Sequence, residues 1–235
     1  MYEAAENPIE TIKSNVLSTA YILEACRKNK VKRFIYASTI YVYSEQGSFY
    51  RSSKQSAELF IENYQQIYGV DYTVLRYGSL YGKRANKFNF IRQAIHQAIT
   101  EKKIMRLGDG EEIRDYINVL DAARASVDIL EEEYVNKYIM VTGMQTIKVK
   151  DLLNMIKEIL QGSVEIQYMN AKSDNTHYQI TPYSYRPKVA MKYIPKYFYD
   201  LGQGILDCIY EVDAEIKYKN SLKTIDSNVI EVRHC

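Results

Sequence analysis

Apolar residues fall along this chain in two rhythms, one recurring every three or four positions and one in short unbroken runs, and the two alternate. Ile9, Ile12, Val16, Ala20 and Leu23 keep the period of a one-sided helix. Its start has a mechanism: Asn7 can cap, Pro8 suits the first helical position, and Glu10 can reach back toward the cap. Phe34-Ile35-Tyr36-Ala37 is a short apolar run closed by Ser38-Thr39, which predicts a buried strand ending in hydroxyls. A helix over 51–68 follows, with Ala57, Phe60, Ile61, Tyr64 and Ile67 as its apolar stripe. Gly69 ends that helix and residues 70–76 make the next strand. The alternation continues with helices over 89–100, 121–130 (capped by Asp121), 151–160 and 201–212, and strands over 104–107, 116–119, 138–141 and 164–169. Gly108-Asp109-Gly110 is a turn, and Pro182, Pro187 and Pro195 break the pattern before the last helix. Residues 213–235 are polar with weak periodicity and predict a loosely held tail.

Helices interleaved with apolar strands predict an α/β fold, a parallel sheet covered on both faces. Right-handed crossovers then put ligands at the carboxyl ends of the strands. Composition narrows the class. With 235 residues, 46% hydrophobic and 26% charged, the chain has room for one large domain or two small ones and excludes a disordered tail or a disulfide-dense scaffold. Lys and Arg number 31 against 29 Asp and Glu, a net charge of +2 that argues for neither nucleic acid nor an acidic membrane surface as partner. No apolar run approaches the ~20 residues of a membrane helix. Cys26, Cys208 and Cys235 stand far apart, which fits a reducing cytoplasm, and none has metal-ligand spacing with His96, His177 or His234. No metal site is expected.

Tyr50-Arg51-Ser52-Ser53-Lys54 puts a phenol and an amine on one helix face. A phenol titrates near ~10, and a neighbouring ammonium lowers that value, making proton exchange with a substrate hydroxyl feasible. Spacing alone does not single the pair out: among 23 tyrosines, Tyr168 and Lys172 share it. Context does. Tyr50 opens a helix soon after a strand ending in Ser38-Thr39, so Thr39 and Tyr50 can meet at the ligand end of the sheet. Tyr168 closes a strand with no such hydroxyls before it. On spacing alone a solvated Lys54 and a packing Tyr50 are the plainer reading of the pair.

Further matches, in order from Ala4 to about Leu130, resemble the extended short-chain dehydrogenase/reductases, the NAD-dependent nucleotide-sugar epimerase/dehydratase family. Ala4-Ala5 is similar to the family's Ala-Ala along the cofactor. Asn15-Val16-Leu17-Ser18-Thr19 resembles Asn-x-x-Gly-Thr, with Ser18 for the glycine. Ala37 to Tyr43 resembles Ser-Ser/Thr-x-x-Val-Tyr-Gly, placing the catalytic hydroxyl on Thr39, and Tyr50 and Lys54 fall on Tyr-x-x-x-Lys. Leu75 to Gly82 resembles Leu-Arg-Tyr-Phe-Asn-x-Tyr-Gly, and Gly108-Asp109-Gly110 with Arg114-Asp115-Tyr116 and Asp121 resembles Gly-Asp-Gly…Arg-Asp-Phe/Tyr…Asp.

The resemblance implies hydride transfer from a sugar ring carbon to NAD (NAD or NADP undecided) while Tyr50 takes the hydroxyl proton. Lys54 would hold the nicotinamide ribose and depress the Tyr50 pKa, and Thr39 would hydrogen-bond the reacting oxygen. Ala4, Ala5 and Tyr77 join Tyr50 and Lys54 as cofactor contacts. Ser79, Arg114 and Arg186 join Thr39 as substrate contacts, Arg114 pairing with the nucleotide diphosphate. A surface arginine beside Asp115 and a solvated loop charge at Arg186 are the plainer readings of those two. Ile40 and Tyr41 stand where the sugar 4,6-dehydratases carry Asp-Glu, which argues against water elimination.

No Gly-rich dinucleotide turn opens the chain: Gly108/Gly110 and Gly202/Gly204 are its Gly-x-Gly pairs, and neither continues to the third glycine. The fold implied is an incomplete Rossmann-type parallel sheet with a small C-terminal α/β substrate-binding lobe. Residues 1–145 form a truncated core, with 83–115 contributing to the lobe; 146–212 form the lobe and 213–235 the tail. On the order of 80 residues would precede Met1 in a full-length relative. Exposed apolar edges then predict a homodimer or a marginal monomer, and loss of the pyrophosphate cradle predicts negligible NAD affinity. The function implied is an NAD-dependent nucleotide-sugar epimerase or related oxidoreductase of surface-polysaccharide assembly, present as a fragment. The alternative is a non-catalytic relative that binds nucleotide sugars or partners an oligomer.

Overall fold

Short apolar runs become strands here because each can be buried from both sides. The structure, a computed structural model, describes residues 4, 6–44, 46–169 and 191–231. It begins with helices α1 (Pro8–Ile12) and α2 (Ser18–Lys28), joined by a π-helical turn over Lys13–Leu17. Strand β1 (Phe34–Thr39), helix α3 (Ser48–Tyr68) and strands β2 (Tyr72–Tyr77) and β3 (Ser79–Tyr81) follow. Next come α4 (Phe90–Glu101), β4 (Lys103–Leu107), β5 (Ile113–Asn118), α5 (Val119–Asp128) and β6 (Lys137–Val141). The rest is β7 (Thr146–Lys148), α6 (Val149–Ile159), β8 (Glu165–Met169), β9 (Met191–Lys192) and α7 (Leu201–Glu231).

The described residues fall into two compact units. The first holds the chain up to Leu80, Glu111–Lys148 and the stretch from Met191 to Phe198. Its main sheet has the order β1-β2-β6-β9 with every neighbouring pair parallel. On one face Tyr36, Tyr72 and Val74 pack with Leu23 of α2 and Ala57 and Ile61 of α3. On the other, Leu75, Ile139 and Val141 pack with Ala122 and Ala125 of α5. The sheet is therefore covered on both faces, as its unbroken apolar runs require. The second unit holds Tyr81–Gly110, Val149 to Met169 and the chain from Tyr199. There the parallel pair β4–β8 accompanies α4, α6 and α7, which bury Ile91, Ile95, Leu152, Leu153 and Ile205.

Local differences from the sequence pattern have local causes. Leu23 is buried as the stripe predicts, but Ile9 and Ile12 are exposed and Thr11, Thr19 and Cys26 are buried instead; the π-helical turn widens one turn and rotates the inward face. Asn7 stands at the N-cap and Pro8 in the first turn, yet the Asn7 side chain makes no cap bond. The cap of α5 is Asn118, whose side chain accepts the Leu120 amide at 2.9 Å, so that helix starts before Asp121. The polar tail is not loose in backbone form: α7 continues to Glu231. Nothing between Gly204 and Glu231 breaks a helix, and pairs such as Asp213–Lys217 at 2.7 Å support an exposed one.

Candidate active site

Strand β1 stops at Thr39, whose hydroxyl accepts the Tyr41 amide at 3.3 Å and caps a short 3-10 turn over Ile40–Tyr43. The connection to α3 is tied down on both sides. Arg51 Nη1 donates to the Ser44 carbonyl at 3.0 Å, and Gln55 Nε2 donates to the Val42 carbonyl at 3.0 Å. Gly47 takes φ 105°, open to glycine, and a Cβ there would stand 2.9 Å from the Tyr41 ring. This turn lets a short connection bring Tyr50 back over the end of β1.

Tyr50, Lys54 and Glu58 are spaced one helical turn apart on α3 and share a face. Each meets β1. The Thr39 hydroxyl is near enough to the Tyr50 phenol to favour its ionised form. Lys54 Nζ donates to the Ala37 carbonyl at 2.9 Å and lies 4.8 Å from the centroid of the Tyr36 ring. Glu58 Oε1 accepts from the Ser38 hydroxyl at 2.6 Å. The Tyr41 ring meets that of Tyr50 edge-on, with centroids 6.4 Å apart.

The electrostatics differ from expectation in one respect. Burial pushes the Tyr50 phenol above the ordinary tyrosine value, and the Thr39 hydrogen bond works against it. Lys54 does not act on it here, so the expected depression of the Tyr50 pKa by Lys54 is not found: the amine is turned to Ala37 and Tyr36. Burial pushes the Lys54 amine down, and the Glu58 charge opposes that. The phenol is therefore held in its protonated form, beside a hydroxyl able to pass a hydrogen bond onward.

The other sequence candidates are placed unevenly. Ala4 is buried near α1, its carbonyl 3.5 Å from the Thr11 hydroxyl; Ala5 lies outside the described residues. Tyr77 pairs in register with Thr39 across β1 and β2, but its ring packs against the α5 face and its hydroxyl meets that of Ser126 at 2.5 Å. Ser79 is on β3 and Arg114 on β5, strands of a separate three-stranded sheet. Arg114 is buried, not on the surface, with Nη1 donating to the Ile113 carbonyl at 3.0 Å. Arg186, like Lys172, lies outside the described residues. Asn15, from the Asn-x-x-Gly-Thr match, donates to the Ser53 hydroxyl at 2.9 Å and so ties the first helical segment to α3. Among the described residues no group of three or more His, Cys, Asp or Glu could hold a metal ion, and no helix is long and apolar enough to cross a membrane.

Sequence reasoning missed the ion pair beneath the site. Arg76 of β2 and Glu58 of α3 are both almost wholly buried and meet at 2.6 Å. An arginine inside the apolar run of β2, with a glutamate one turn beyond Lys54, was the available signal.

Comparison with known proteins agrees with this architecture. Residues 2–142 match the model of the NAD dependent epimerase/dehydratase family. The UDP-glucuronate 4-epimerase of Thermodesulfobacterium geofontis is 29% identical over 181 residues, covering 70% of this chain and 55% of that protein. A putative UDP-glucose 4-epimerase of Methanocaldococcus jannaschii is 32% identical over 173 residues, covering 66% of this chain and 55% of that protein. The chain thus spans about half the length of the curated relatives it matches. In fold it is similar to the UDP-glucose 4-epimerase of Thermotoga maritima solved with UDP-glucose: TM-score 0.77 at 24% identity, covering 92% of this chain and 74% of that one.

Proposed function

Because the chain belongs to the NAD-dependent epimerase/dehydratase family, we propose that it serves as a nucleotide-sugar epimerase in which Tyr50, Thr39 and Lys54 handle the proton. The observation that carries this reading is the convergence of α3 on the end of β1, where Lys54 Nζ donates to the Ala37 carbonyl at 2.9 Å and the Thr39 hydroxyl acts on the Tyr50 phenol. A module that only binds has no use for a half-buried phenol and an amine brought together at a strand-end hydroxyl, so the arrangement favours the enzyme over the binding-only alternative.

The residues present fit the reacting end of NAD. Lys54 spends one donor on Ala37, leaving others for ribose hydroxyls. NAD, when bound, supplies the acceptor and returning donor of a hydride. The rest is the work of this chain. Tyr50 Oη exchanges a proton with the sugar hydroxyl being oxidised, and Thr39 Oγ1 bridges the phenol and that oxygen. Lys54 would help hold the ribose of bound NAD, and its cation, brought near the phenol there, would favour deprotonation. Ile40 and Tyr41 put no carboxyl beside Tyr50, which supports epimerisation over loss of water; Ile40 is buried and the Tyr41 ring packs on Tyr50. Buried Arg114 is assigned to the diphosphate, and Ser79, Arg186, Ala4, Ala5 and Tyr77 keep their roles as proposed contacts. Position 4 and a uridine nucleotide are proposed by likeness to the UDP-sugar 4-epimerases among the relatives.

The reading extends to a cytoplasmic role in surface-polysaccharide assembly and to a homodimer, since Ile9, Tyr21 and Ile67 stand exposed on α1, α2 and α3. Sedimentation giving only a monomer would contradict the dimer. The test of function is incubation, with NAD and a panel of UDP-hexoses, of this chain joined to the Gly-rich dinucleotide-binding segment of a relative, since the chain alone is expected to hold NAD only negligibly; the sugars are separated by chromatography. Appearance of the C4 epimer is expected. A 4-keto-6-deoxy product would replace the reading with a dehydratase, and nucleotide-sugar binding without turnover would replace it with the binding-only alternative.

A further inference from the structure

Glu58 is 4% exposed, and its carboxylate is fully engaged. Oε1 accepts from Ser38 Oγ at 2.6 Å and from Arg76 Nε at 3.1 Å, while Oε2 accepts from Arg76 Nη2 at 2.6 Å. Arg76 in turn donates to the Tyr43 hydroxyl at 2.5 Å, and its guanidinium lies over the Tyr43 and Tyr138 rings at 4.7 and 4.3 Å. One buried ion pair therefore joins α3, β1, β2, β6 and the turn after Thr39. As a source of stability this is a poor choice, because desolvating two charges offsets most of their attraction and an apolar pair of similar size often does as well. What an apolar pair cannot supply is directional, bidentate geometry. Here that geometry grips Ser38, the neighbour of Thr39, from the helical face that carries Tyr50 and Lys54.

We propose that Glu58 is a positioning residue: bonded to Ser38 and Arg76, it fixes the axial register of α3 against β1 and so sets the Tyr50 phenol on the Thr39 hydroxyl. This rests on the reading of Thr39, Tyr50 and Lys54 as the proton-handling set. A helix slipped by one residue moves 1.5 Å along its axis and turns through about 100°, enough to part a phenol from its hydroxyl partner. The carboxylate has a second effect one turn back, where its charge favours the ammonium form of Lys54 against the burial that disfavours it.

The test compares Glu58→Gln, which keeps size and removes charge, with the double variant Glu58→Leu/Arg76→Met, which replaces the pair by apolar groups. Tyr50 and Lys54 are followed by NMR titration of carbon-13-labelled tyrosine and lysine side chains, assigned with Tyr50→Phe and Lys54→Met. In both folded variants the Lys54 amine should titrate at lower pH than in the parent. The Tyr50 phenol should titrate at higher pH, having lost the Thr39 bond. Where C4 epimerisation is measured, kcat should fall by about tenfold or more with KM little changed. Unchanged Tyr50 and Lys54 titrations in folded Glu58→Gln, whatever happens to its melting temperature, would reduce Glu58 to a structural residue and overturn the proposal. Failure of the double variant to fold leaves Glu58→Gln to decide. Tyr50→Phe separates the two claims: if it keeps full turnover the reading of the site fails, whereas its inactivity beside a fully active Glu58→Gln defeats only the positioning role.

Discussion

Tyr50 with Lys54, and Tyr168 with Lys172, carry the same spacing in this chain and differ in what surrounds them. Tyr50 lies in the first turn of α3, where residues four apart are neighbours on one face, and its phenol is acted on by the Thr39 hydroxyl. Tyr168 is next to last in β8, 44% exposed, its ring set against the backbone turn at Gly110. Lys172 lies outside the described residues; Tyr168 itself sits on a strand, with no strand-end hydroxyl pair before it. A Tyr-x-x-x-Lys spacing becomes chemistry only where a helix folds it and a strand end supplies the third group.

The largest expected effect breaks the pair of regions apart. Tyr50→Phe should lower epimerase kcat by about a hundredfold or more, the usual contribution of a positioned acid–base group, while Tyr168→Phe leaves it unchanged. Equal loss in both, measured by product chromatography, would remove the distinction. Next come the two glycines that abut aromatic rings. Gly47 has φ 105° with the Tyr41 ring 2.9 Å from a Cβ, and Gly110 has φ 72° with the Tyr168 ring at 3.0 Å. Alanine at either site should cost about 1–2 kcal/mol in chemical unfolding. Only Gly47→Ala should also reduce turnover, because Tyr41 packs on Tyr50.

This contrast marks how far the sequence is legible. The apolar pattern places α3, β1, β2 and β6, and the hydroxyls that close β1 locate the end of the sheet where Tyr50 is found. These signals are local: an apolar stripe, an αL glycine at position 69, a strand closing in Ser-Thr. The π-helical turn over Lys13–Leu17 is hidden because it changes which residues face inward without changing which residues are apolar. The pairing of Glu58 with Arg76 and the stacking of Arg76 on Tyr43 and Tyr138 are hidden for a different reason. Their members are far apart in the chain, and only the parallel register of β1 against β2, with Ser38 opposite Arg76, brings them together. The unexpected direction of the Tyr50 shift has the same origin, since burial is a property of the packed site and not of the motif.

A smaller effect separates the pH response of the site from that of the fold. Burial raises the Asp115 carboxyl above its ordinary value, against the opposing Thr146 hydrogen bond at 2.9 Å and the Lys192 charge. The unfolded chain therefore releases this proton first as pH rises. The contribution of Asp115 to stability is full below about pH 4 and is lost as pH climbs through the raised folded value. Asp115→Asn should remove that decline, so its stability relative to the parent should improve between acid and neutral pH in urea titrations. A difference independent of pH would show that Asp115 titrates as it does in the unfolded chain.

The most direct measurement of the account is the titration of the Tyr50 phenol in the parent and in Thr39→Val, read by NMR of carbon-13-labelled tyrosine. The expected result is a pKa above the ordinary tyrosine value in the parent and a further rise in Thr39→Val, where the hydrogen bond favouring the phenolate is gone. An ordinary value that Thr39→Val leaves unmoved would mean that the two side chains do not meet, and would contradict the proposed proton path at its first step.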